Sequence, residues 1–196
     1  MDISGSTGPS GLVSIITACS RPQNLSKLFE SMNFDLIKKW YIIYDTSKGR
    51  TYTHAYEDNS KILEIDHNEH GMCGHPQINF ALKLVTEGYV YVLDDDNIMH
   101  PDFWRVLPTM DQEFIYTWNQ LRRVKPPRVM LGNDVRPNKI DTAQFIVPRK
   151  YIGDIEWMPN KRGGDGKFIS DVKAKWPDSF KFIGRNLCYF NYLRPI

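Results

Sequence analysis

The sequence predicts a single α/β domain with a mainly parallel central sheet flanked by helices. Two observations carry this. Apolar, β-branched runs alternate with segments of helical period through the first hundred residues. Strand–helix–strand order of this kind implies right-handed crossovers and parallel pairing. The second is the run Tyr89-Val90-Tyr91-Val92-Leu93, whose unbroken apolarity suits a strand buried on both faces. It leads directly into Asp94-Asp95-Asp96-Asn97.

The elements follow in order. Leu12 to Ala18 is an apolar run and a buried strand, broken by Arg21-Pro22-Gln23-Asn24. Asn24 can cap a helix whose Leu25, Leu28, Phe29 and Met32 share one face. Trp40 to Tyr44 is the next strand, ending at Asp45, and Lys61 to Ile65 is a shorter one. A loop rich in His and Gly, 66–76, precedes a helix marked by Ile78, Ala81, Leu82 and Val85 and closed by Gly88. Pro101 opens a further helix with Phe103, Trp104 and Leu107 on its face. The second half is less regular. Lys125-Pro126-Pro127 is a rigid interruption, and Arg128 to Leu131 and Phe145 to Val147 read as short strands. Gly163-Gly164-Asp165-Gly166 reads as a flexible loop before a helix carrying Phe168, Ile169 and Val172. Phe180 to Ile183 and Leu187 to Tyr192 are two late strands. No internal repeat or domain boundary is visible. Residues 12–100 form a nucleotide-binding half and 101–196 a half for a second substrate, after a Gly/Ser-rich leader, 1–11, expected to be disordered.

Composition excludes several classes of function. Hydrophobic content of 41% and charged content of 24% are those of a soluble globular protein. A net charge of +2 predicts no strong attraction to nucleic acid or to anionic membrane. No apolar run approaches the ~20 residues that span a bilayer, and the first residues lack a signal-peptide pattern. Cys19, Cys73 and Cys188 are odd in number and far apart, which suits a reducing compartment and a cytoplasmic location.

The acidic run has two readings. As a solvated turn, Asn97 completes it. As a metal site at a buried strand end, its repulsion is relieved by a hard cation, Mn²⁺ or Mg²⁺, which prefers carboxylates and keeps phosphate oxygens as further ligands. Ligands of open α/β sheets bind beyond the carboxyl ends of strands, which favours the second.

With these motifs in order, the chain resembles small glycosyltransferases of the GT-A fold. Val13-Ser14-Ile15-Ile16-Thr17-Ala18 with Arg21-Pro22 resembles the strand and turn that hold the donor's base. Asp45 matches the acidic residue that contacts uracil. His75-Pro76-Gln77-Ile78-Asn79-Phe80-Ala81-Leu82 resembles the Gln-Arg-Asn-x-Ala-Leu helix start of inverting glucuronyltransferases, and Asp94-Asp95-Asp96-Asn97 their form of the DXD motif. Gly163-Gly164-Asp165 resembles the place of the catalytic base. The likeness spans roughly 12–172. Compact size and reduced cysteines are also similar to GT-A enzymes of large algal DNA viruses, which would act in the host cytoplasm. Two departures stand out. Ile78 replaces the usual Arg, and all five histidines lie at or before His100, so the late His that serves relatives as a second metal ligand is absent.

The resemblance implies a metal-dependent transfer of a sugar from a UDP-sugar donor to the hydroxyl of a glycan or glycoprotein acceptor, with inversion. Asp96 is expected to coordinate the metal, with Asp94 reaching the metal-bound water or the ribose and Asp95 the ribose hydroxyls. Thr17, Ala18, Arg21, Asp45 and Gln77 are expected around the nucleotide. Asp165 is the expected general base, the other reading being a helix N-cap. Asp45 has turn chemistry as its alternative, and Gln77 an exposed first-turn position. Trp157 reads as a core residue or as an acceptor platform, and Arg185 and Asn186 as a surface turn or as diphosphate contacts. Two other functions fit an α/β carboxylate site: a nucleotidyltransferase acting on sugar phosphates, and an inert GT-A-like binding module. Ala-Cys-Ser-Arg-Pro after the first strand, in place of a Gly-rich phosphate loop, disfavours the former.

Overall fold

The computed structural model describes residues 12–123, 126–158 and 163–194. The expected leader, 1–11, and Lys125 of the Lys-Pro-Pro interruption lie outside them. Nine strands form one sheet: β1 (Val13–Cys19), β2 (Ile37–Asp45), β3 (Ile62–His67), β4 (Tyr89–Val92), β5 (Ile98–Met99), β6 (Ile115–Arg122), β7 (Arg128–Met130), β8 (Phe145–Pro148) and β9 (Phe180–Phe190). The helices are α1 (Leu25–Glu30), α2 (His75–Leu84), α3 (Pro101–Val106), α4 (Arg149–Ile152) and α5 (Gly164–Lys175).

The strand order is β3-β2-β1-β4-β8-β6-β9-β5, with β7 paired to β6 beside β8. The first four strands are parallel, as expected. The remainder is not, and the sheet is mixed. β8 runs antiparallel to both β4 and β6, β7 is antiparallel to β6, β5 is antiparallel to β9, and only β6 and β9 pair parallel. The apolar run Phe145-Ile146-Val147 marks a buried strand without marking its direction. Direction is set by the connection, which brings β8 back between β4 and β6.

Alternation along the strands explains how both faces are filled. Val13 and Ile15 with Tyr89, Tyr91 and Leu93 face one layer, where Leu25 and Leu28 of α1 and Phe103 of α3 pack. Ile16 with Val90 and Val92 face the other, against Ile78, Ala81 and Leu82 of α2 and Phe168, Ile169 and Val172 of α5. A strand clad on both sides needs apolar residues at every position, which is why Tyr-Val-Tyr-Val carries no polar alternation.

Two elements differ further from the sequence reading. β6 has no counterpart in it. Asn119 and Gln120 interrupt its apolar pattern, yet Gln120 is fully buried and its amide donates to Asp141. The two late strands are one strand, β9, whose register against β6 shifts around Asn119, so Gly184 and Arg185 bulge out rather than end it. Asn24 stands at the expected helix start but makes no side-chain cap. Its Nδ2 donates instead to the carbonyl of Asp95 at 2.9 Å.

Candidate active site

The carboxyl ends of β1, β2, β4, β6 and β9 share one edge of the sheet. β1 has β2 on one side and β4 on the other, so the chain reverses its direction of travel across the sheet there. This is the position where such sheets bind ligands. A cavity of about 500 Å³ opens at that edge. Its walls bring together Ala18, Arg21, Asp45, Asp94, Asp95, Asp96 and Asp165 from the sequence reading, and add Lys48, Arg50, Asp141 and Arg194.

The acidic run is held from two sides. Asp95 is almost fully buried and accepts five hydrogen bonds. Its Oδ2 takes the Ser20 N–H at 2.7 Å, the Ser20 hydroxyl at 3.2 Å and the Arg21 N–H at 2.7 Å. Its Oδ1 takes Arg21 Nε at 2.8 Å and Nη2. The turn after β1 is thereby clamped onto the end of β4. Asp95 thus holds the turn rather than standing open to ribose hydroxyls, because its lone pairs are already used. Asp96, equally buried, pairs through Oδ2 with Arg21 Nη2 at 3.0 Å and with Arg194 Nε.

Asp94 and Asp141 form the other part of the cluster. Burial, then the neighbouring charges of Asp141, Asp165, Asp96 and Asp95, push the Asp94 carboxyl well above the ordinary range. Burial and the charge of Asp165 raise Asp141 to about 7, against hydrogen bonds from Ala143 and Gln120 that favour its ionised form. Asp141 caps the short turn Thr142–Gln144 in a reciprocal capping box. That Asp-Thr-Ala-Gln spacing is visible in the sequence, but it signals a turn rather than a pocket wall. Arg194 follows the last strand and carries no motif, so nothing local marks it.

Asp165 is in the first turn of α5, not in a loop. Its Oδ1 accepts from Trp157 Nε1 at 3.2 Å, and His75 Nε2 is 3.8 Å away. The His75 ring is buried and donates through Nδ1 to the Met158 carbonyl at 2.6 Å. Gly164 permits this approach, since a Cβ there would sit 2.4 Å from His75 Cε1. Trp157 is 1% exposed and stacks on Phe168 with ring centroids 3.5 Å apart. It is a core residue that orients Asp165, not a surface platform for sugar.

The remaining predicted residues divide. Asp45 Oδ1 accepts from the Ser47 N–H at 3.1 Å and the Ser47 hydroxyl at 2.6 Å, so it combines turn chemistry with a place in the pocket wall. Gln77 is buried, and its Nε2 donates to the Glu69 carbonyl at 3.1 Å, and to the His67 carbonyl and the Asp45 carboxylate Oδ1 at 3.5 Å. It ties the His/Gly loop to β2 and is not an exposed helix residue. Thr17 is fully buried and accepts from Trp40 Nε1 at 3.0 Å. Arg185 is exposed on the β9 bulge, and neither it nor Asn186 lines the cavity.

Among the described residues, no group of three His, Cys, Asp or Glu side chains is arranged to hold a metal by itself. No described helix is long and apolar enough to cross a membrane.

No protein-family model and no curated protein matches this sequence. Solved structures do match its fold. S. aureus TarS 1-349 aligns over 90% of this chain and 59% of its own, with 13% identity and a TM-score of 0.64. The same TarS fragment in complex with UDP-GlcNAc aligns over 92% of this chain and 58% of its own, with 11% identity and a TM-score of 0.67. A mycobacterial protein aligns over 92% and 67%, with 13% identity and a TM-score of 0.61. The chain therefore spans about six-tenths of the TarS fragment's length. Its mixed α/β architecture is that of these solved structures.

Proposed function

We propose that this chain is a metal-dependent glycosyltransferase that moves a sugar from a UDP-sugar to an acceptor hydroxyl on a glycan or glycoprotein, with inversion. The observation that carries the reading is the convergence of Asp45, the Asp94–Asp96 run and Asp165 on one cavity at the reversal point of the sheet. That the TarS structures of like fold hold UDP or UDP-GlcNAc supports the choice of donor.

The residues fit a divalent cation. Burial and acidic neighbours push the Asp94 carboxyl toward its protonated form, and Asp96 is shared between Arg21 and the half-exposed Arg194, so positive charge is what this cluster draws in. Mg²⁺ and similar ions are commonly bound by one or two carboxylates plus substrate phosphates, so a three-residue protein cage is not required. Asp96 and Asp94 would hold the ion, which when bound neutralises charge on the leaving diphosphate.

The chain's own groups supply the rest. Asp45, fixed by Ser47, accepts a hydrogen bond from the uracil imide. Asp95 holds Ser20 and Arg21 in place, so the Arg21 guanidinium faces the phosphates from a rigid turn. Asp165 removes the acceptor proton on the face of the sugar opposite the diphosphate. The Trp157 indole N–H fixes its carboxylate, and the buried His75 backs it.

The test is a panel of nucleotide sugars with purified protein and Mn²⁺, read by thermal shift and by release of nucleoside diphosphate. A ligand that binds only the folded state raises Tm. A UDP-sugar should shift Tm and be turned over when acceptor is supplied. Binding of GDP more tightly than UDP, or UDP-sugar turnover unaffected by chelation, defeats the reading.

A further inference from the structure

We infer that Arg194 has two partners in turn: it is a counterion of Asp96, and it becomes a ligand of the donor diphosphate when donor and cation bind. The inference rests on the UDP-sugar reading above.

The argument begins with how Arg194 is carried. The segment after β9 folds back over the acidic run. The Asn191 N–H donates to Asn97 Oδ1 at 2.7 Å, and the Leu193 N–H donates to the Asp96 carbonyl at 3.0 Å. Asn191 adopts φ +51°, a left-handed turn that Asn tolerates better than most residues. Leu193 packs against the core, and Arg123 both donates to the Tyr192 carbonyl at 3.0 Å and lies over the Tyr192 ring at 4.9 Å. The backbone of the strap is thus fixed to the motif it covers.

The head group is held differently. Arg194 Nε meets Asp96 Oδ2, the same oxygen that takes Arg21 Nη2. Arg21 is also tied to the buried Asp95, whereas 54% of the Arg194 side chain is exposed. A guanidinium carries five N–H donors in a planar fork that matches phosphate geometry, more than one carboxylate oxygen employs. A cation binding at Asp96 Oδ2 competes with both guanidiniums, and Arg194 is the less committed. Once displaced, it faces the cavity at the level of the acidic run, where the diphosphate would lie.

This arrangement predicts effects of opposite sign. In the full chain, Arg194→Gln removes a competitor for Asp96, so Mn²⁺ alone should bind about twofold to fivefold more tightly, the scale of a half-exposed ion pair. The same variant loses a charge-assisted phosphate contact, so UDP with Mn²⁺ should bind about tenfold more weakly. Uridine, which has no phosphate, should bind as before. Arg194→Lys should recover part of the UDP affinity. Calorimetry measures all three ligands, with circular-dichroism melts to verify folding. Equal weakening of Mn²⁺, UDP and uridine would mean a merely structural strap and overturns the inference. So does unchanged UDP affinity. If the wild-type protein melts cooperatively but binds no UDP, the UDP-sugar reading itself fails and takes this inference with it.

Discussion

The two halves of the sheet are built on different principles. From β3 through β2 and β1 to β4, the strands are parallel neighbours, with α1 leading from β1 to β2 and α2 from β3 to β4, and β1, β4 and the Trp40–Tyr44 part of β2 are largely buried. From β8 through β6 to β9 and β5, directions mix, strands are short or irregular, and β9 bulges. Both halves supply the cavity, but unequally. The parallel half contributes Asp45, the turn at Arg21 and the acidic run, all at ends of regular strands. The mixed half contributes Asp141, Asp165 and Arg194 from a turn, a helix start and a strap. Regular crossovers build a binding edge that is rigid and repeated among α/β proteins. The irregular half brings in groups from a turn, a helix start and a strap rather than from regular strand ends.

If that division is functional, variants in the two halves should separate donor binding from turnover. The largest effect is expected in the mixed half. Asp165→Asn keeps the size and hydrogen bonding of the side chain but removes its basicity. Single-turnover rates should fall about 10²–10⁴-fold, while UDP-sugar affinity stays near wild type. A rate near wild type, or NMR showing the donor's anomeric configuration in the product, would remove Asp165 from its proposed role.

Asp45→Ala in the parallel half should do the reverse. UDP affinity should drop about tenfold and preference over GDP should narrow, with smaller change in the single-turnover rate at saturating donor. Titration of both nucleotides by calorimetry checks this, and unaltered base preference would count against the contact.

Gly164→Ala tests the seam between halves. The added methyl meets the buried His75 ring, so α5 must shift away from α2. Overpacking of this kind costs about 1–3 kcal/mol, readable as a lower denaturant midpoint with unchanged slope. Wild-type stability would show that the contact relaxes freely.

The smallest effect concerns protons. Asp141 titrates at about 7 in the fold against an ordinary value of 3.8, so the folded state binds more protons than the unfolded chain between those values. Stability of the metal-free protein should therefore fall as pH rises from about 4 to 7 and change little above. Asp141→Asn should flatten this slope and raise Tm at pH 7.5 by a few degrees. Scans in EDTA across that range decide it. A slope unchanged by the substitution would mean that the proton sits elsewhere in the cluster, with Asp94 the nearest candidate.

How much of this was legible in the residues follows the same division. The strands β1, β2 and β4, the helix faces of α2 and α5, and the acidic run at a strand end are local patterns, and local patterns survive in a linear sequence. β6 carries no local strand signal because Asn119 and Gln120 have the composition of an exposed segment, although their partners are Gly132 and Asp141, farther along the chain. The mixed character of the sheet is not written locally for a related reason: a buried strand has the same composition in either direction.

By itself the sequence determined an α/β domain, a half of parallel strands and a carboxylate cluster at the end of the strand Tyr89–Val92. Period and burial fix these within a few residues of chain. Only the tertiary structure decided the direction of β8, the turning of Asp165 toward Trp157 and His75, the commitment of Asp95 to the Arg21 turn, and the return of Arg194 to Asp96. Each of these joins residues separated by many positions. Their geometry follows from which surfaces meet when the chain closes, and no local pattern records that.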